Sequence, residues 1–339
     1  MEVIIVNFFI ISLFTYVLNF LYLKNNFCLD IKKSSHHKRL VGVNPIPLTG
    51  GAVILFTIIL LTQVSLQIKL FLLLIFLIGL FSDIQKLVSP KNKLLLQIIV
   101  TTTLIFILDI QISETRIFVI DNLIDAKLVN YLFVLICLLV LINGTNFIDG
   151  VNTNTIGYYL LVYLSLLVLT YNNIINIPDY IEIILQLLII LYLYNFFSKL
   201  YLGDSGSYLL GIFTGINLIY ISNLNSQISP FYVVLLLWYP VFENLFSIIR
   251  KKNINFSPLK PDPKHLHHLI YIFFKKKIKL KKISSNSFSG MIITFYNLII
   301  FFIASKYFYH SQILIILLII NIFIYCFLYI KLLDLVKKS

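Results

Sequence analysis

Apolar runs close to the twenty residues that a helix needs to cross a hydrocarbon core recur along the whole chain, separated by short polar stretches. They predict helical spans near 3–23, 47–66, 68–82, 93–110, 128–143, 155–171, 180–197, 206–222, 229–249, 291–307 and 311–332. The expected fold class is therefore all-α, a polytopic integral membrane protein of about eleven transmembrane helices. A single membrane-integral domain over 1–339 is expected. No internal repeat is visible.

Composition agrees with this pattern. Of 339 residues, 59% are hydrophobic and 12% charged, with a mean hydropathy of +0.95, too few charges to cover a water-soluble globule of this length. The formal charge of +13 would suggest nucleic acid in a soluble protein. Here the basic residues sit in short runs between apolar segments, so no nucleic-acid partner is expected and the charge reads as membrane orientation. With the N-terminus outside, 23 of the 27 Lys and Arg fall on the cytoplasmic side, in 24–46, 83–93, 197–206, 250–290 and 331–339. Lys69, Arg116, Lys127 and Lys306 are the exceptions, and the external loop 109–128 instead carries Asp109, Glu114, Asp121 and Asp125. The asymmetry predicts an N-terminus outside and a C-terminus in the cytoplasm of a plasma (inner) membrane.

The first span has no basic residue before it and Lys24, Lys32, Lys33, Lys38 and Arg39 after it, which reads as a retained anchor. The basic run "KKKIKLKK", Lys275–Lys282, reads as contact with anionic lipid at the inner leaflet. Cys28, Cys137 and Cys326 lie far apart and indicate neither a thiolate metal site nor a disulfide framework.

With that topology, four polar stretches meet on one face. "GLFSDIQKLVSPKNKL" sets Asp83 directly after an apolar run, with Lys86, Lys91 and Lys93 following. A carboxylate is costly inside hydrocarbon, so Asp83 belongs at the interface or in a wet cavity. "LINGTNFIDGVNTNTIG" crowds Asn143, Asn146, Asp149, Asn152 and Asn154 into a loop with two glycines. These residues turn chains and cap helices; the other reading open to them is that Asn146 and Asp149, at i and i+3, face one cation or nucleotide from a single helical end. "YLGDSGSYLLG" offers either an N-cap at Asp204 or Ser205, or a phosphate-binding helix start with Asp204 holding magnesium. "SPLKPDPKHLHHL" puts His265, His267 and His268 beside Lys260 and Lys264; zinc, a lipid-facing basic loop and an anionic phosphorylated substrate are the readings open to it.

In order and spacing, "NPIPLTGG", "GLFSDIQKLVSPKNKL", "NGTNFIDGVN", "YLGDSGS" and "SPLKPDPKHLHH" resemble the polyprenyl-phosphate N-acetylhexosamine-1-phosphate transferases, over roughly residues 36 to 270. The resemblance implies transfer of a sugar 1-phosphate from a UDP-N-acetylhexosamine to a polyprenyl phosphate such as undecaprenyl phosphate, releasing UMP. It implies a cytoplasmic active site formed by loops 24–46, 83–93, 143–154, 198–206 and 250–290, dependent on Mg2+ with Mn2+ as a substitute. Carried over, Asp204 and Asn146 match the metal ligands, and Asp83 and Asp149 the catalytic carboxylates. Asn152 falls near the nucleotide base, while Lys93, Lys260, His265, His267 and His268 are substrate contacts. The H-x-H-H form resembles the branch that initiates surface polysaccharides. Two departures stand out: Ser82 occupies the place of a usual first aspartate, and Glu243 replaces a common aspartate. A homodimer stays open. The rival class is a transporter or lipid flippase with a cytoplasmic anion gate, which predicts ionisable residues within spans and a repeat between halves, neither evident here.

Overall fold

A computed structural model describes residues 2–30, 45–172, 174–253, 264–278 and 282–337. Helices account for nearly all of them: α1 (Glu2–Lys24), α2 (Gly50–Leu61), α3 (Leu66–Asp83), α4 (Pro90–Leu108), α5 (Phe118–Ile124), α6 (Lys127–Ile148), α7 (Asn154–Tyr171), α8 (Tyr180–Phe196), α9 (Gly203–Leu224), α10 (Pro230–Leu236), α11 (Trp238–Asn253), α12 (Leu266–Phe273), α13 (Lys282–Lys306) and α14 (Ser311–Lys337). A two-residue antiparallel ladder, Leu29 with Pro47 and Asp30 with Ile46, is a small addition to the expected all-α fold.

Among the described residues, eight helices are long and apolar enough to cross a membrane, or nine if α10 and α11 count as one broken span. Each expected span coincides with a helix or a helix pair, but α2 and α8 are short. At 1.5 Å per residue the twelve residues of α2 reach about 18 Å, well under a hydrocarbon core of about 30 Å.

The span expected at 229–249 bends by 69° between α10 and α11. Pro240 has no amide to give the carbonyl of Leu236 four residues back, so the helix breaks there. Tyr158 repairs the break from α7: its hydroxyl donates to the Leu236 carbonyl at 2.8 Å and accepts from the Tyr239 amide at 3.4 Å. The bend lays α11 against α6, with Glu243, Asn244, Ser247 and Lys251 buried.

Helix α9 is central, packed against α2, α3 and α6, whereas α1 and α14 present apolar side chains outward. Small residues allow that closeness. A Cβ on Gly211 would sit 3.0 Å from the Cα of Ile142, so α6 and α9 meet nearly backbone to backbone. Several Ser and Thr hydroxyls inside the helices bond to carbonyls four residues back, as Thr57 does to Val53 and Ser165 to Leu161, so these need no water.

One end of the bundle is tied by Asp109, whose carboxylate accepts from Tyr131, Gln111 and, at 3.0 Å, the Lys127 ammonium. The Tyr131 hydroxyl and the Lys127 ammonium hold that carboxyl below the usual aspartate range. Arg116 bonds there to the carbonyls of Ser226 and Tyr309, bringing three loops together. The other end collects the chemistry.

Candidate active site

Helix α9 starts at Gly203, whose φ of +74° suits glycine, and the residue before it, Leu202, supplies no side-chain cap. The cap comes from α3. Asp83 Oδ1 accepts from the Asp204 amide at 2.8 Å, and Oδ2 accepts from the Ser205 amide at 3.1 Å and the Ser205 hydroxyl at 2.8 Å. A carboxylate on the positive end of a helix satisfies amides that have no partner within the helix. The N-cap expected at Asp204 or Ser205 is not found: the cap position is Leu202, the first amides of α9 are taken by Asp83 from α3, and the Asp204 side chain is turned to other partners.

Asp204 is the meeting point of three other side chains. Its Oδ1 accepts from the Asn146 amide at 2.9 Å, and its Oδ2 accepts from the Lys93 ammonium at 3.1 Å and from the Ser82 hydroxyl. The same Asn146 amide donates to Ser207 Oγ at 3.0 Å. Asn146 comes from the C-terminal turn of α6, Lys93 from the first turns of α4, which begins at Pro90 after the Ser89 cap, and Ser82 from the end of α3. The Asp204 side chain keeps 27% of its surface open, enough for a ligand to reach it.

Glycines set this geometry. A Cβ on Gly79 would lie 2.3 Å from the Ser205 Cα, and one on Gly51 would lie 2.4 Å from Ser205 Oγ and 2.7 Å from the Gly206 amide. The first turn of α9 is clamped between α2 and α3.

A second cluster adjoins the first. Asp149 closes α6, and a Cβ on the next residue, Gly150, would meet His267 Nε2 at 2.2 Å and His268 Cε1 at 2.7 Å. His265, His267 and His268 are all buried, with ring centroids 5.6 Å apart for the first pair and 4.2 Å for the last. Phe147, next to Asn146, lies 5.4 Å from the His265 ring, and the buried Lys251 ammonium sits 5.5 Å from the Phe147 ring centre. Phe147 therefore joins the Asp204 cluster to the histidines. His265 Nδ1 bonds to Glu243 Oε1 at 2.8 Å, and the Tyr325 hydroxyl donates to Glu243 Oε2 at 2.7 Å.

Tyr201 completes this face. Its backbone bonds to Pro47 and Gly50, which docks the 45–50 segment, and its hydroxyl is buried without a partner among the described residues. Burial, reinforced by the nearby Asp30 and Asp149 charges, pushes the Tyr201 phenol well above its ordinary pKa, so it stays a neutral donor. Burial raises Tyr271 as well.

Asn152 is only 3% exposed, and its side chain donates to Ser198 Oγ at 2.7 Å and Ser287 Oγ at 3.5 Å. It braces the 149–154 loop against the segment before α9 and against α13. Lys260 lies outside the described residues. Asp83, Lys93, Asn146 and Asp204 thus form one connected group, and His265, His267 and His268 form an adjoining one that lies against Gly150, the residue after Asp149. The clamping role of Gly51 and Gly79, the bond from Ser82, the bridging ring of Phe147 and the Tyr325 anchor of Glu243 escaped sequence reasoning. A glycine in the otherwise bulky run "LIGLFSD" and a carboxylate in an apolar span were the available signals.

Residues 65–222 match glycosyl transferase family 4. That stretch holds Asp83, Lys93, Asn146, Asp149, Asn152 and Asp204, and ends before Glu243 and the histidines. The undecaprenyl-phosphate alpha-N-acetylglucosaminyl 1-phosphate transferase of Thermotoga maritima is 26% identical over 294 residues, 84% of this chain and 84% of its own. The decaprenyl-phosphate N-acetylglucosaminephosphotransferase of Mycolicibacterium smegmatis is 29% identical over 150 residues, 38% of this chain and 37% of its own. A probable undecaprenyl-phosphate N-acetylglucosaminyl 1-phosphate transferase of Bacillus subtilis is 29% identical over 138 residues, 39% of this chain and 37% of its own. The chain thus spans little more than a third of the latter two relatives and most of the first.

Proposed function

From the match of residues 65–222 to glycosyl transferase family 4, we propose that this chain transfers an N-acetylhexosamine 1-phosphate from a UDP-sugar to a polyprenyl phosphate, releasing UMP and leaving a lipid-linked sugar diphosphate. The observation that carries this reading is the constellation on Asp204: a carboxylate at a helix N-terminus, capped from behind by Asp83 and flanked by Asn146 and Lys93. Displacement at phosphorus asks a protein mainly to position the reactants and neutralise charge on the diphosphate.

The acceptor's phosphate oxygen forms the new bond to the phosphorus that carries the sugar, and the bond to the UMP oxygen breaks. The phosphomonoester acceptor is already largely dianionic near neutrality, its second pKa being about 6, and needs little help. We assign its orientation, and removal of any remaining proton, to Asp149. Asp83, whose two oxygens hold the first turn of α9, acts in this reading by keeping Asp204 in place. His265, His267 and His268, with Lys93 and Lys260, hold the anionic donor. Asn152 supports the nucleotide end by bracing its loop.

Asp204 and Asn146 suit magnesium. That ion is satisfied by one or two carboxylates together with water and substrate phosphates. Among the described residues no three His, Cys, Asp or Glu side chains gather as a dedicated metal cage. Lys93, 3.1 Å from Asp204 Oδ2, is the cationic side chain that this carboxylate already faces. Mg2+, or Mn2+ in its place, would be held by Asp204 and Asn146 and would supply neutralisation of the diphosphate charge.

In the same reading α2 and α8 enter the bilayer beside the nine longer spans, which gives eleven segments with the site facing the cytoplasm of the inner membrane and the Lys275–Lys282 run on anionic lipid. The product would initiate a cell-surface polysaccharide. The test is purified protein with undecaprenyl phosphate, Mg2+ and a panel of UDP-N-acetylhexosamines. UMP and lipid product appearing together, and only with lipid and metal, is the expected result; no turnover from folded protein with any donor overturns it.

A further inference from the structure

Glu243 is fully buried on α11, and both of its oxygens are engaged: Oε1 with His265 Nδ1 at 2.8 Å and Oε2 with the Tyr325 hydroxyl at 2.7 Å. The three residues come from different elements. Glu243 lies past the bend that Pro240 imposes, His265 is the cap residue of α12, and Tyr325 is on the peripheral α14. A buried carboxylate is costly unless charge and hydrogen bonds compensate it, so an arrangement that satisfies each oxygen separately marks a built feature. Other ionisable groups near it are Tyr239 on α11, Arg250 and Lys251 about two turns further on, and Tyr329 on α14. Arg250 is occupied with the Tyr329 hydroxyl at 2.7 Å and the Lys264 carbonyl at 2.6 Å, which anchors the chain just before His265.

We propose that Tyr325 and Glu243 form a positioning relay for His265, holding its ring through Nδ1 so that Nε2 is the nitrogen offered to a phosphate oxygen of the nucleotide-sugar donor. A carboxylate accepts only, so it selects Nδ1–H on the imidazole facing it. Nε2 is then the nitrogen left to face the site, and with a hydrogen on it that nitrogen donates to an anion. Tyr325 keeps Glu243 from rotating away, because its hydroxyl fixes the second oxygen. Glu243 and Tyr325 touch no substrate in this scheme; they act through His265. The inference rests on the proposed transferase reading for the identity of the anion, while the fixing of the ring stands on the geometry alone.

Two measurements separate these parts. The first reads the ring directly: 15N spectra of histidine-labelled protein in lipid at about pH 8.5, some two units above the usual histidine midpoint, with His265→Asn to assign the signal. The relay predicts Nδ1–H with bare Nε2 for His265 in the wild type, and loss of that single tautomer in Glu243→Gln, whose amide can donate as well as accept. The second is kinetic. Glu243→Gln is expected to raise KM for the UDP-sugar about tenfold, with kcat and the lipid KM within about twofold, as removal of a binding contact does. Tyr325→Phe, the milder change, is expected to give about threefold in the same direction and keeps the test open if Glu243→Gln does not fold. A His265 tautomer that is unchanged in folded Glu243→Gln overturns the relay, and so do donor and lipid KM values that rise together in either variant, because a merely structural role moves both. If the wild type turns over no donor, the transferase reading falls and the 15N result still decides whether the ring is held.

Discussion

Gly79→Ala adds one methyl group and no charge, polarity or helix-breaking tendency; alanine is the better helix former by about 1 kcal/mol. The structure nevertheless predicts damage. The added Cβ would stand 2.3 Å from the Ser205 Cα, 2.5 Å from the Ser205 amide nitrogen and 2.8 Å from the Asp204 carbonyl carbon. Against carbon contacts of about 3.5 Å, α3 and α9 must part by about 1 Å, and since the obstacles are backbone no rotamer change relieves them. Overpacking of this kind costs about 1–3 kcal/mol, and backbone contacts place it in the upper half of that range. The separation opens where Asp83 caps Asp204 and Ser205, so Asp204 shifts relative to Lys93 and Asn146. A misplacement near 1 Å at reacting groups lowers turnover on the order of 100-fold. Gly215→Ala is the matched control, in the far half of α9, where the added Cβ would meet only Leu138 Cδ2 at 2.6 Å and Leu141 Cδ2 at 3.0 Å, ends of side chains that can rotate. Thermal unfolding in detergent and UMP release are the assays. Gly79→Ala with wild-type unfolding temperature and turnover, or Gly215→Ala as damaging as Gly79→Ala, refutes the clamp.

Asp204→Asn is expected to abolish metal-dependent UMP release while leaving unfolding close to wild type, because the amide can still meet Asn146 and Ser82; turnover that survives in excess chelator would refute the metal assignment. Asp83→Ala leaves two amides and a hydroxyl without their acceptor, so an unfolding loss of about 2–3 kcal/mol should accompany any loss of activity, whereas a catalytic-base role alone would spare stability. For orientation, in a background without Cys28, Cys137 and Cys326, Glu114→Cys should react with an impermeant maleimide on intact cells and Lys91→Cys only after permeabilisation; the reverse pattern overturns the assigned sidedness.

The positions of the helices were readable because burial in lipid demands long apolar runs, a signal that depends on composition more than on partners. Where the runs hid something, the cause was local. The continuous apolar reading of 229–249 concealed the bend between Leu236 and Trp238, which an isolated helix could not tolerate and which Tyr158, 78 residues from Leu236, makes tolerable by satisfying its carbonyl. The lengths of α2 and α8 were concealed in the same way, since hydropathy does not say where a helix stops.

The site was legible as a set of residue types on one face, and much less as a set of partners. Asp83 and Asp204 were both read as carboxylates near a phosphate, but sequence spacing cannot show that one caps the helix that carries the other across 121 positions. Seen in space, the two have unequal situations: Asp83 turns both oxygens onto helix amides, and Asp204 turns its oxygens toward a lysine, an asparagine and a serine with part of its surface open. Ser82 then acquires a reason. With a carboxylate at 83 already committed to the helix, a second acidic side chain at 82 would face Asp204 and repel it, whereas the serine hydroxyl donates to it. The serine that looked like a missing acid in the sequence supports the charge the proposed chemistry needs, and Ser82→Asp is accordingly expected to lower turnover, a result that a simple restoration of the family pattern would reverse.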